Sequence, residues 1–202
     1  MKPGISRLGP LVRPDIWLVR HGPTEWSESG RHTSRTDVPL TDEGRRAAAS
    51  LAPALADHGF GLVLVSPASR ALETARLAGF AGADVDPDLR EWDYGDCEGL
   101  TTPEIRTRGP EWADWTVWGG RLPEGETIEE VARRAERIIA RADGAEGDVL
   151  LFGHGHMLRI LAACSLALGA GSGAHLALDP ATVSVIGSEH ETRALRVWNS
   201  RP

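Results

Sequence analysis

The amino-acid sequence predicts an α/β fold of three layers, α/β/α, with a mostly parallel central sheet and helices on both faces. Two observations carry that prediction. Three short apolar runs, at 15–19, 62–65 and 148–152, read as strands buried on both sides. Between and after them lie stretches with Ala and Leu at helical spacing, and strands that alternate with helices build a parallel sheet. A length of 202 residues suits one domain over 1–202, with 1–14 as a flexible N-terminal extension.

Taken in order, the run at 15–19 ends in Arg20-His21-Gly22-Pro23, where glycine and proline stop regular structure. A polar loop is expected over 24–41 and a helix over 42–58. The strand at 62–65 leads into Ser66-Pro67, a helix start with Ser as N-cap and Pro at the first helical position, running to about residue 77. Residues 88–123 form a loop-rich segment that carries Trp92, Trp112, Trp115 and Trp118. Within it, Thr101-Thr102-Pro103-Glu104 fits a capping box that opens a short helix. Thr127-Ile128-Glu129-Glu130 fits a second, opening a helix to about residue 142. The strand at 148–152 ends in Gly153-His154-Gly155-His156, before a helix over 157–168. Weaker strand patterns at 182–186 and 194–198 follow.

A formal net charge of −7 argues against a nucleic-acid groove, because backbone binding needs a basic surface. The same excess of carboxylates makes a local cluster of Arg and His informative, since the overall field repels anions. Cys97 and Cys164 define neither a metal pair nor a disulfide framework. No run is long and apolar enough to cross a bilayer, and the first residues lack the apolar stretch of a signal peptide. A cytoplasmic protein with no membrane partner is expected, with exposed tryptophans available for a homodimer.

Ligands of parallel sheets bind just beyond the carboxyl ends of the strands. Here those ends carry Arg20-His21, then Ser66 with Arg70 one turn into the next helix, then His154. These residue types suit phosphoryl chemistry. Two arginines can grip peripheral phosphoryl oxygens in forked hydrogen bonds. A neutral imidazole is a competent nucleophile, and a second, protonated histidine can donate to an oxygen as charge develops. The leaving alkoxide needs a proton from a carboxyl group. Glu91 has Asp93, Asp96 and Glu98 for neighbours, so spacing alone leaves the identity of the acid open. His154-Gly155-His156 also offers a metal site, but the Asp/His cluster that would support it does not follow.

Several blocks resemble one family. They are the run Leu18-Val19-Arg20-His21-Gly22-Pro23-Thr24-Glu25-Trp26, residues 30–41, Ser66-Pro67-Ala68-Ser69-Arg70, residues 89–100, and Gly153-His154-Gly155 with Arg159. In this order and over most of the chain they are similar to the histidine phosphatase superfamily, in its phosphoglycerate-mutase-like branch. The resemblance implies that His21 is the nucleophile, that Arg20, Arg70 and His154 bind phosphate, and that Glu91 is the acid, with Asp93 its nearest rival. It adds Ser27, Thr33, Ser34 and Gly155 to the phosphate- and substrate-binding set. Ser27 stands where many members have Asn, and Ser34 where many have Gly. The resemblance implies no cofactor and no metal.

Within the family, residues 91–95 and 100–106 look most like actinobacterial broad-specificity acid phosphatases, and 24–30 like fungal sugar-bisphosphatases acting on sedoheptulose bisphosphate. The expected reaction is hydrolysis of small phosphomonoesters, sugar phosphates included, at mildly acidic pH. The alternatives are a cofactor-dependent phosphoglycerate mutase, a non-catalytic phosphate-binding regulatory module, and a metallohydrolase using His154 and His156. The interval between Glu91 and His154 is short for the long insertion that the mutases carry.

Overall fold

The computed structural model describes residues 13–201. Six strands form one sheet: β1 (Ile16–Arg20), β2 (Leu62–Val65), β3 (Asp84–Val85), β4 (Val149–Gly153), β5 (Val183–Glu189) and β6 (Thr192–Ser200). Their order across the sheet is β3-β2-β4-β1-β5-β6. The first four in that order run parallel, and β5 and β6 add an antiparallel hairpin beside β1. The helices are α1 (Glu25–Ser29), α2 (Asp42–Ser50), α3 (Ala52–Leu55), α4 (Ser69–Leu77), α5 (Thr102–Arg106), α6 (Ile128–Asp143) and α7 (Gly155–Ser165).

Side chains alternate across a strand, and this divides the core in two. Ile16 and Leu18 of β1, with Val149 and Leu151 of β4, pack against Val131, Ala135 and Ile138 of α6 and the apolar face of α7. Val19, Leu150 and Phe152 face the other way, onto Leu51, Leu55, Ala71 and Ala75. β4 is therefore buried along its whole length, as its continuous apolar run requires. Each such Leu or Phe contributes about 1.5–3 kcal/mol by leaving water.

The structure departs from the sequence expectations in ways with physical causes. The helix expected over 42–58 breaks at Leu51, because Pro53 has no amide to continue the ladder. The polar loop at 24–41 contains α1, opened by a capping box in which Thr24 and Ser27 exchange bonds. Helix α4 starts at Ser69, not at Ser66-Pro67, and the Ser66 hydroxyl bonds His154 instead. Helix α7 starts two residues early, with His154 at its N-cap position. Of the tryptophans in the loop-rich segment, Trp92 and Trp115 are buried, and Trp112 and Trp118 are half-buried against the core. Of the N-terminal extension, residues 1–12 lie outside the described residues, and the Pro14 carbonyl accepts a hydrogen bond from Arg193.

Candidate active site

β1 and β4 are neighbours, with Arg20 opposite Gly153, so the residues that follow them emerge side by side. The His21 amide donates to the Gly153 carbonyl at 3.0 Å, and the His21 and His154 ring centroids lie 5.2 Å apart. The turn after His21 is pinned against α2. A Cβ on Gly22 would lie 2.5 Å from the Gly44 carbonyl oxygen, so only glycine fits there. The Gly22 amide donates to the Thr74 hydroxyl at 3.0 Å, tying the same turn to α4.

His21 is 5% exposed, and its Nδ1 lies 2.7 Å from the Gly22 carbonyl oxygen. A carbonyl can only accept, so Nδ1 holds the proton and Nε2 carries the free lone pair. Burial, then Arg20 and Arg70, push the His21 pKa well below its ordinary value, and the Gly22 carbonyl opposes them only in part. The imidazole is therefore neutral at neutral pH.

His154 is 1% exposed, with Nε2 2.7 Å from the Ser66 hydroxyl. Its pKa is also pushed well down, by burial first and then by Arg70, His21 and Arg20. Without an anion in the site, burial and the two guanidiniums disfavour a further positive charge on this imidazole. Arg20 leaves the end of β1, and Arg70 stands in the first turn of α4, 1% exposed. His154 Nδ1, Arg20 Nε and Arg70 Nε are buried and have no hydrogen-bond partner within the protein. Buried polar atoms are ordinarily satisfied, so three such atoms at one sheet edge, two of them guanidinium donors, leave hydrogen-bonding capacity that suits an anion.

Glu91, 6% exposed, joins this group from a loop. Its Oε1 accepts the amides of Trp92 at 2.9 Å and Met157 at 2.8 Å, and its Oε2 the amide of His156 at 3.1 Å. Glu91 lines two cavities. One, of about 170 Å³, includes Arg20, His21, Ser27, Thr33, Tyr94 and Gly155 in its wall. The other, of about 460 Å³, includes His154, Ser34, Arg35 and Asp93.

The remaining predicted residues take particular places. Ser27 reaches the smaller cavity, but its hydroxyl is spent on Thr24 in the cap of α1. The Thr33 hydroxyl donates to the Arg31 carbonyl, and the Ser34 amide donates to Glu98. Gly155 lies against Arg20, where a Cβ would stand 3.4 Å from the guanidinium carbon. Asp93, the rival acid, is paired with Arg35 at 2.7 Å. His32, Arg31, Tyr94 and Arg159 also line the smaller cavity and were not singled out by sequence reasoning as binding residues. The Tyr94 hydroxyl bonds His156 Nδ1 at 2.7 Å, and the signal for that pair is the position of each within three residues of Glu91 or His154. Among the described residues, no three His, Cys, Asp or Glu side chains form a metal-binding group, and no helix is long and apolar enough to cross a membrane.

Fold and site together define a phosphoric monoester hydrolase built on a three-layer α/β/α scaffold. The chain belongs to the histidine phosphatase superfamily (branch 1), whose sequence profile matches residues 16–201. It is 41% identical over 186 residues to an acid phosphatase of Mycobacterium tuberculosis, covering 90% of both chains. It is 35% identical over 190 residues to the sedoheptulose 1,7-bisphosphatase of Saccharomyces cerevisiae, covering 79% of this chain and 70% of that one. A solved structure from Mycobacterium tuberculosis superposes with a TM-score of 0.86 at 38% identity, covering 93% of this chain and 98% of the other.

Proposed function

We propose that the protein hydrolyses small phosphomonoesters, sugar phosphates included, through a phosphohistidine on His21. The observation that carries this reading is the state of His21: neutral, with Nδ1 committed to the Gly22 carbonyl and Nε2 free beside unpartnered arginine nitrogens. Nε2 attacks phosphorus in line and the ester P–O bond breaks. Arg20, Arg70 and His154 hold the peripheral oxygens, where their value lies in being fixed before charge develops. With the Ser66 hydroxyl donating to His154 Nε2, a neutral His154 keeps a proton on Nδ1 and makes a hydrogen bond through it to a phosphate oxygen. Glu91 gives its proton to the leaving alkoxide. Its carboxylate then takes one from water, which attacks phosphorus, breaks the P–N bond and releases inorganic phosphate.

The small cavity beside His21 supports a leaving group of sugar size. The names of the two sequence relatives, an acid phosphatase and a sugar-bisphosphatase, support the same substrate range. The two free thiols, Cys97 and Cys164, fit a reducing cytoplasm. The test is steady-state hydrolysis of p-nitrophenyl phosphate from acidic to neutral pH with EDTA present, comparing wild type with His21→Ala. Chelator-resistant turnover that disappears in the variant is expected. Turnover that survives the substitution, or that EDTA abolishes, overturns the proposal.

A further inference from the structure

The loop at 33–37 does not use its side-chain hydroxyls on the arginine it surrounds; it uses its backbone. The carbonyls of Thr33 and Ser34 each accept from Arg70 Nη2 at 3.4 Å, and the Thr36 carbonyl accepts from Nη1 at 3.2 Å. The amides of the same loop face the opposite way, onto a carboxylate. Glu98 Oε1 takes the Ser34 amide at 2.8 Å and the Thr36 amide at 3.0 Å, and Oε2 lies 3.0 Å from the Ser34 amide. One peptide, between Thr33 and Ser34, is thus held at both ends, its N–H on the anion and its C=O on the cation. The loop is closed at its far end by Asp37, which accepts from the Ser69 amide and hydroxyl at the start of α4. Glu98 is itself held in place, since the Gly99 amide donates to the His32 carbonyl at 2.8 Å and the His32 amide to the Leu100 carbonyl at 3.0 Å.

We propose that Glu98 is a positioning residue for phosphate capture, acting through the loop at 33–36 to fix the Arg70 guanidinium. The collar occupies both terminal nitrogens of Arg70 and leaves Nε, buried and unpartnered, as the nitrogen wholly free for an anion. Without the carboxylate, the Ser34 and Thr36 amides turn to water, and the Thr33 carbonyl, in the same peptide as the Ser34 amide, loses its fixed direction and loosens the loop around Arg70. Arg70 then has to be ordered by the ligand at the ligand's expense, which weakens phosphate binding. This inference rests on the phosphate-site reading above and adds to it a residue that need not touch the ligand.

The test is the dissociation constant of inorganic phosphate, by calorimetry, for wild type, Glu98→Ala, Glu98→Gln, Arg70→Lys and the Arg70→Lys/Glu98→Ala double variant, with thermal midpoints alongside. Hydrolysis of p-nitrophenyl phosphate is followed on the same proteins. Glu98→Ala is expected to weaken phosphate binding and kcat/KM by about 10- to 100-fold, the loss that misplacing a binding group by an ångström brings. Glu98→Gln should recover part of it, because an oxygen at the Oε1 position takes both amides while the charge and the Oε2 contact with the Ser34 amide are lost. In the Arg70→Lys background, Glu98→Ala should add little, since the group it positions is already changed. Unchanged phosphate affinity in Glu98→Ala overturns the proposal, and so does a loss that adds in full to that of Arg70→Lys. A wild type that binds phosphate but has no turnover refutes the hydrolase reading while the affinities still judge Glu98. A wild type that binds no phosphate refutes both.

Discussion

Glu91 closes the amino end of the helix that His154 opens: its two oxygens accept the Met157 and His156 amides at 2.8 and 3.1 Å. The proposed proton donor and the second histidine are thus parts of one joint. The first turn of a helix presents amides with no partner of their own, and an acceptor there is worth about 0.5–2 kcal/mol. Glu91→Ala should therefore cost about 1 kcal/mol of stability as well as activity. Glu91→Gln keeps one acceptor oxygen for the Trp92 and Met157 amides and loses the one for His156, so it should lose less stability than Glu91→Ala while losing about 10²–10⁴-fold in rate on an alkyl phosphate. On p-nitrophenyl phosphate, whose leaving group needs less protonation, the loss should be smaller. Paired unfolding curves and rates on both substrates check this, and equal losses on the two esters would remove Glu91 from the acid's role.

Two buried imidazoles, His21 and His154, and the partly buried His156 set a pH dependence of stability. Burial comes first among the causes for each, followed by Arg20 and Arg70 for His21, Arg70 for His154 and Arg159 for His156, and all three pKa values lie well below 6.5 in the folded state. The unfolded chain takes up these protons as pH falls through about 6.5, and the folded chain does not. Stability is therefore fully present above about pH 6.5 and is lost progressively below it, by up to about 1.4 kcal/mol per pH unit for each histidine. The same neutrality keeps His21 nucleophilic at mildly acidic pH. Urea unfolding between pH 7.5 and 5 measures the slope, which should be shallower in His156→Phe. A flat profile, or an unchanged slope in that variant, contradicts the assignment.

Arg134 of α6 is the strut beneath Glu91. Its guanidinium forks onto Glu126 at 2.9 and 2.7 Å and donates to the Asp88 and Arg90 carbonyls at 2.7 and 3.0 Å, with the Glu91 carbonyl at 3.5 Å. It is 3% exposed, so removing it strands several carbonyls and leaves the largely buried Glu126 with only Arg90 and the Asp93 amide, each at 3.1 Å. Arg134→Ala should lower stability by about 2–3 kcal/mol. It should also reduce kcat, because the Glu91 segment loses its support. Denaturant unfolding and turnover at a temperature where the variant is still folded test the two parts separately. A variant within about 1 kcal/mol of wild type would mean that the fork is not fully desolvated.

Much of this architecture is legible in the sequence because its signals are local. The runs that became β1, β2 and β4 are apolar without alternation, and Thr101/Glu104 and Thr127/Glu130 form the capping boxes that their spacing announces. The misses share the opposite property. Helix α1 is opened by Thr24 and Ser27, a box that lacks the usual Glu or Gln. The start of α7 is fixed by Glu91, far away in sequence, and Ser66 leaves its expected capping role for His154 across the sheet edge. The terminal strands look weak because one face of the hairpin is exposed, as at Leu195 and Val197. His21, His154, Arg20 and Arg70 could be nominated from strand ends alone. The carboxylates that hold the site, Glu98 and Glu126, are indistinguishable in the sequence from the acidic residues around them.

The adjacency of β1 and β4 also bears on how the chain acquires its pocket. Asp15 and Asp148, at the base of those two strands, are 133 residues apart and joined by a hydrogen bond. The first histidine-bearing strand is made early and finds its neighbour only after most of the chain exists. A non-local pairing of this kind is slow, because the loop must close before the contact rewards it. Anion affinity should then arise late in refolding, together with the last ordering of the sheet. Inorganic phosphate would act on the finished molecule as a thermodynamic clamp that slows its loss, and would not act as a template that hastens its formation.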